Sequence, residues 1–232
     1  MKKRALAVAV VLAAGTTAMA DVNEAFRVDA VSDAGSGSFI VNWDDGTWTG
    51  DVWTYTLANS VDLGAGVVQE ATIVVANGNR TAGQTVSLNF NVAAGASNTV
   101  FDVSSGLANA NLATATGIAS AAVTLTDTLG DGATMSPDGA SIYSAIYNGA
   151  PGTLFAGLLN SSITAGSFST VTADGSFGSA ALAGAVNDIS SQWNFAVSAF
   201  DVASGTSVFT VVPAPGSIAL LGLAGLAIRR RR

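Results

Sequence analysis

Sixteen carboxylates, four tryptophans and no histidine or cysteine bound the chemistry open to this chain of 232 residues. Without His there is no general base for a serine or threonine nucleophile, and without Cys there is neither a thiol nucleophile nor a thiolate zinc site. Lys2 and Lys3 are the only lysines, so Ser–Lys catalysis has no partner in the rest of the chain. No glycine-rich loop ends in Gly-Lys-Ser/Thr, and no dinucleotide fingerprint is present. What remains is carboxylate-only chemistry, of which glycoside hydrolysis by two acidic residues is the main class. Glu24 and Glu70 are the only glutamates, and several aspartates adjoin Gly, where Asp is a turn former. The chain is therefore expected not to be an enzyme.

Two binding chemistries survive. Calcium needs only oxygen ligands from Asp, Asn and loop carbonyls. Asp44-Asp45-Gly46, and Asp131-Gly132 with nearby Asp127, are the densest acidic sites; neither has EF-hand spacing, and both also fit plain solvated turns. Sugars stack on aromatic rings and donate hydroxyl hydrogens to carboxylates. Trp43, Trp48, Trp53 and Tyr55 fall within 13 positions, with Asp44, Asp45 and Asp51 among them. Trp53 and Tyr55 alternate with Thr54 and Thr56 and share a face with Leu57, which marks them as core. Trp48 sits among Gly and Asp and is the residue expected to be exposed for sugar stacking.

These side chains need elements to hold them, and the pattern is that of strands. Val86, Leu88, Phe90 and Val92 alternate with Ser87, Asn89 and Asn91. Val123 and Leu125, and Trp193, Phe195 and Val197, repeat the same period of two, the mark of a strand with one buried face. Shorter strands are expected over 38–43, 71–76, 142–147, 166–172 and 207–212. Turns are expected at Asp45-Gly46, Asn77-Gly78, Asp131-Gly132, Asp138-Gly139, Asn148-Gly149 and Asp174-Gly175. Residues 107–122 mix helix-favouring Ala with loop-favouring Asn, Thr and Gly, and the two readings stay open there. Many short strands with Gly-rich turns predict a mainly β fold, a single antiparallel β-sandwich or jelly-roll-like domain over residues 21–211.

The two ends differ from this body. Seven of the nine basic residues lie in them, which leaves only Arg27 and Arg80 against sixteen acidic groups in between, a net charge of −14. A body so acidic repels phosphate backbones, so no nucleic-acid partner is expected. Residues 1–20 read as a signal peptide: a basic start at Lys2, Lys3 and Arg4, ten apolar residues from Ala5 to Ala14, and the small-x-small sequence Ala18-Met19-Ala20. Signal peptidase would cut before Asp21. At the far end Pro213-Ala214-Pro215-Gly216 precedes an uncharged span, 217–228, and then Arg229, Arg230, Arg231 and Arg232. Basic residues after an apolar span stay on the cytoplasmic side, so the body faces outward and the arginines act as a membrane stop.

Residues 212–232 resemble the PEP-CTERM sorting signal in their Pro motif, their Gly- and Ala-rich span and their arginine cluster, with Ala214 standing where the family motif has Glu. The resemblance implies a transmembrane sorting helix and processing by an exosortase-type transpeptidase. The inner membrane would hold the intermediate only transiently. A permanent anchor is the alternative for the same span. The expectation for the whole chain is an exported protein of the cell surface or extracellular matrix. Its role would be structural or adhesive, with polysaccharide a possible partner and no cofactor unless calcium is one.

Overall fold

The computed structural model describes residues 23–78, 83–149 and 152–214. The first half forms β1 (Glu24–Ser32), β2 (Gly35–Asn42), a single 3-10 turn at Trp43–Asp45, β3 (Thr47–Thr49), β4 (Val52–Thr56), β5 (Val61–Asp62), β6 (Gly66–Gly78), β7 (Gly83–Ala94), β8 (Thr99–Ser105) and β9 (Ala108–Leu112). The second half forms β10 (Ala115–Thr126), β11 (Ala133–Pro137), β12 (Tyr143–Tyr147), β13 (Thr153–Leu158), β14 (Ile163–Ala165), β15 (Thr170–Ala181), β16 (Val186–Val197) and β17 (Val202–Pro213). Among the described residues no helix is long and apolar enough to cross a membrane. The signal peptide with its cleavage residues Ala18, Ala20 and Asp21, and the tail residues Pro215, Gly216 and Arg229 to Arg232, lie outside the described residues.

The strands make two antiparallel sheets packed as a sandwich. One runs β13-β12-β16-β8-β1-β2, with β9 and β11 also on β16 and β14 on β11; the other runs β15-β10-β17-β7-β6-β4-β3, with β5 on β6. Inward rows from both sheets meet in one core. Phe90 of β7 stacks on Phe195 of β16 at 5.9 Å and meets Trp193 edge-on at 5.2 Å. Such pairs add about 0.5–1.5 kcal/mol each beyond the area they bury. Gly205 of β17 lies under the Phe90 ring, where a Cβ would come within 2.4 Å of it; the absent side chain makes room for the ring. A polar seam crosses the same core. Tyr143 Oη and Ser191 Oγ are 3.1 Å apart, Trp193 Nε1 donates to Ser207 Oγ at 3.1 Å, and Ser191 N donates to Ser105 Oγ at 2.9 Å. These bonds satisfy groups that burial would otherwise penalise.

The alternating segments became strands with the expected faces inward: Val86, Leu88, Phe90 and Val92 of β7 are all buried, as are Trp193, Phe195 and Val197 of β16. Four expectations need correction, the first at Asn77-Gly78, which is not itself a turn but the paired end of β6, facing Gln84 and Gly83. Residues 107–122 are neither helix nor loop but β9 and the start of β10, where Ala115, Ala119 and Ala121 face inward. At Gly117 a Cβ would sit 2.9 Å from the Phe155 ring, so small residues on β10 leave space for bulk across the layer. Asp174-Gly175 is not a turn; both residues lie inside edge strand β15, paired with Ala122 and Ala121. The strand expected over 166–172 starts only at Thr170, because Ser169 N bonds Gly166 O at 3.1 Å and closes a turn first.

Register shows where the chain enters and leaves. Gly78 faces Gly83, Gln84 faces Val211 and Ala115 faces Pro213 at one end of the second sheet; Gly66 faces Ala94 and Thr126 faces Val202 at the other. Thr99 Oγ1 donates to Ala65 O at 2.9 Å, which places the start of β8 at that second end. The other end of β8, Ser105, pairs with Phe26 near the start of β1. The start of β1 and the end of β17 therefore lie at the same end of the sandwich. Pro213 of the sorting motif is the last residue of β17, and Ala214 N bonds Thr114 O at 3.2 Å, so the sheet continues into the first half of that motif.

Candidate functional site

A cleft opens at the same end of the sandwich, between the outer strands of the second sheet and β9 and β16 of the first. It encloses about 510 Å³ and is lined by Trp43, Trp48, Val75, Asn77, Leu107, Ala108, Asn109 and Asp188. Its aromatic wall follows from strand pairing. Trp48 of β3 lies directly opposite Trp53 of β4, so both rings project from the same, inward face of the sheet. Trp53 is fully buried. Trp48, on the edge strand beyond it, is 49% exposed. Trp43 completes the wall: its ring meets Trp53 edge-on at 5.0 Å, and its carbonyl accepts Trp53 Nε1–H at 2.9 Å. Gly46 permits this packing, since a Cβ there would lie 2.3 Å from the Trp53 ring.

The polar wall comes from elsewhere in the chain. Asp188 of β16 and Asn109 of β9 face each other across one ladder, which puts their side chains on one surface. Asp188 Oδ1 accepts Gly149 N–H at 2.8 Å, which fixes the carboxylate. Asn77, near the end of β6, contributes an amide from the other sheet. The expected sugar-stacking residue Trp48 is thus exposed as read. Trp53 is core as read, and Tyr55 is half-buried, 6.5 Å from the Phe39 ring. Asp44 and Asp45 do not line this cleft. They border a smaller hollow of about 330 Å³ that Trp43 also lines, and Asp45 accepts Asn42 N–H at 2.7 Å. Sequence reading missed Asp188, Asn109 and Asn77, because only the sheet topology brings them to the tryptophans.

The acidic loop residues separate in the same way. Among the described residues, Asp127, Asp131 and Asp201 bring carboxylate oxygens within 4.8 Å of one another, and Asp44 and Asp45 are not in that group. Asp201, at the start of β17, had no signal in the sequence. Within this cluster, Asp127 is ringed by backbone donors. Leu129 N and Gly130 N donate to Asp127 Oδ1 at 3.3 and 3.1 Å, and Phe168 N donates to Oδ2 at 2.6 Å. Burial pushes the Asp127 carboxyl up, but the N–H groups of Phe168, Gly130, Gly132 and Leu129 outweigh it and hold the pKa below the ordinary value. Asp201 accepts Thr128 N–H at 3.3 Å and the Ser198 hydroxyl. With its lone pairs taken by N–H groups, Asp127 is a hub that ties the 127–130 loop to Phe168.

A second carboxylate pair lies on the outer face of the first sheet. Asp29 of β1 faces Asp102 of β8 directly, and Asp102 faces Asn194 of β16. Arg27 Nε donates to Asp29 at 2.6 Å, and the Ser38 hydroxyl donates to its other oxygen. The Asn194 amide, with its nitrogen turned to Asp102, reaches both carboxylate oxygens at 3.1 and 3.2 Å. Burial raises the Asp102 pKa to about 6; the charges of Asp29 and Asp138 add to the rise and that of Arg27 opposes it. These are paired carboxylates, but they stand on a sheet face apart from the tryptophan cleft.

No protein-family model and no curated protein sequence matches the chain. Among solved structures it is similar to a structure of the infectious bursal disease virus Gx strain. That match has 10% identity and a TM-score of 0.22 over 84% of this chain and 67% of that one. A mutant VP2 protein of the same virus, in T=1 particles, gives 9% identity and a TM-score of 0.15 over 86% of this chain and 61% of the virus chain.

Proposed function

We propose that the chain is an exported surface or matrix protein whose jelly-roll-like sandwich is a non-catalytic adhesive module that holds a saccharide in the Trp43–Trp48 cleft. One observation carries the binding reading. A half-exposed indole on an edge strand faces a wall of two amides and a carboxylate across a volume of about 510 Å³. That is the usual size of a small-ligand site, with an apolar surface and a few convergent polar groups. Indole faces stack on the C–H face of a sugar ring, while Asn and Asp exchange hydrogen bonds with its hydroxyls.

Export is supported by the two terminal segments of the sequence, which would engage signal peptidase and then an exosortase-type transpeptidase. β17 ends at Pro213, the first residue of the sorting motif, so the tail would hold the domain from that end of the sandwich. Cell fractionation with intact-mass measurement tests this route. A surface form beginning at Asp21 and lacking Arg229 to Arg232 is expected. A cytoplasmic protein that keeps Met1 would defeat the export reading, and a surface form that keeps the arginines would make the tail a permanent anchor.

A further inference from the structure

Resting on the cleft as a saccharide site, we infer that its ligand is an uncharged, hydroxyl-rich glycan and that acidic polysaccharides are turned away by charge. Among the described residues, Asp188 is the only charged one on the cleft wall. An ionised carboxylate only accepts hydrogen bonds, so it suits a sugar hydroxyl and opposes a uronate or sulfate. Among the described residues the only cation is Arg27, and Asp29 and Glu24 already hold it, at 2.6 and 3.3 Å, on the outer face of the first sheet. Arg80 lies outside the described residues. The net charge of −14 between the two ends adds a repulsive field that reaches about 8–10 Å at physiological salt.

The remaining wall favours a neutral chain. Trp43 and Trp48 offer apolar ring surface, which gains nothing from ligand charge. Asn77 and Asn109 each offer both donors and acceptors, which matches hydroxyls that do the same. The cleft is open on one side because, among the described residues, β3 is the last strand of its sheet, so a chain longer than the cleft can run out over Trp48.

The test is calorimetric titration of the full-length protein with malto-oligosaccharides and cello-oligosaccharides, against oligogalacturonates of equal length, at low and at physiological salt. The neutral series is expected to bind with little salt dependence. Trp48→Ala should weaken it by roughly tenfold or more without lowering the melting temperature, because Trp48 is exposed. Asp188→Asn should weaken neutral binding severalfold, through the lost charge-assisted hydrogen bond, and should relieve rather than deepen the exclusion of oligogalacturonate, because the repelling charge is gone. Oligogalacturonate binding as tight as neutral binding would overturn the charge argument while leaving the cleft a saccharide site. Neutral binding unchanged in Trp48→Ala would move the site elsewhere. No binding of either series would defeat the saccharide reading itself.

Discussion

Replacing Asp102 by Asn should stabilise the protein near neutral pH. The side chain stands opposite Asp29 on the neighbouring strand and is largely buried, and its pKa is raised from 3.8 to about 6. A carboxyl whose folded pKa lies above its unfolded value holds its proton more tightly in the folded state. Folding is then favoured by acid, and stability falls as pH rises from about 4 to about 6. At about 1.4 kcal/mol per pH unit the ionised group costs on the order of 3 kcal/mol above that window. Asp102→Asn removes the charge and keeps an oxygen that can accept from the Asn194 amide. For a chain of this size the melting temperature should rise by roughly 6–12 °C at about pH 7.5. The wild-type and variant curves should converge below about pH 4. Urea unfolding across that range is the assay. A variant no more stable at pH 7.5, or parallel curves throughout, would refute the reasoning.

Tyr143→Phe removes a buried hydroxyl partner of Ser191 and should cost about 1–3 kcal/mol by chemical denaturation. Gly46→Ala drives a methyl group into the Trp53 indole and should destabilise by about 1–3 kcal/mol, with altered Trp fluorescence. Millimolar calcium should leave the melting temperature unchanged, because backbone N–H groups occupy the Asp127 oxygens. A rise would instead make Asp127, Asp131 and Asp201 cation ligands.

The sandwich was legible wherever large apolar residues alternate with polar ones, as on β7 and β16. It was illegible on the first part of β10, residues 115–121, where the inward row is Ala and Gly and offers little contrast with its outward neighbours, whereas Val123 and Leu125 further along the same strand were legible. Asp174-Gly175 shows the other failure: a turn dipeptide by local chemistry is held in an edge strand by ten residue pairings with β10. The exposure of Trp48 could be read from its Gly- and Asp-rich surroundings. Its polar counterparts could not, since Asn109 and Asp188 reach the cleft only through the pairing of β9 with β16. The cluster at Asp127 gained Asp201 for the same reason: 74 positions away in the sequence, it is brought alongside by the pairing of Thr126 of β10 with Val202 of β17.

The four indoles give the most direct measurement of the central claim. Trp53 and Trp193 are fully buried, whereas Trp43 and Trp48 line the cleft. Titrating the isotope-labelled protein with a neutral oligosaccharide should shift the Nε1–H resonances of Trp48 and Trp43 in NMR spectra. Those of Trp193 should stay fixed, and those of Trp53 should follow only weakly through its contact with Trp43. Shifts confined to residues away from the cleft, or none at saturating sugar, would contradict the account.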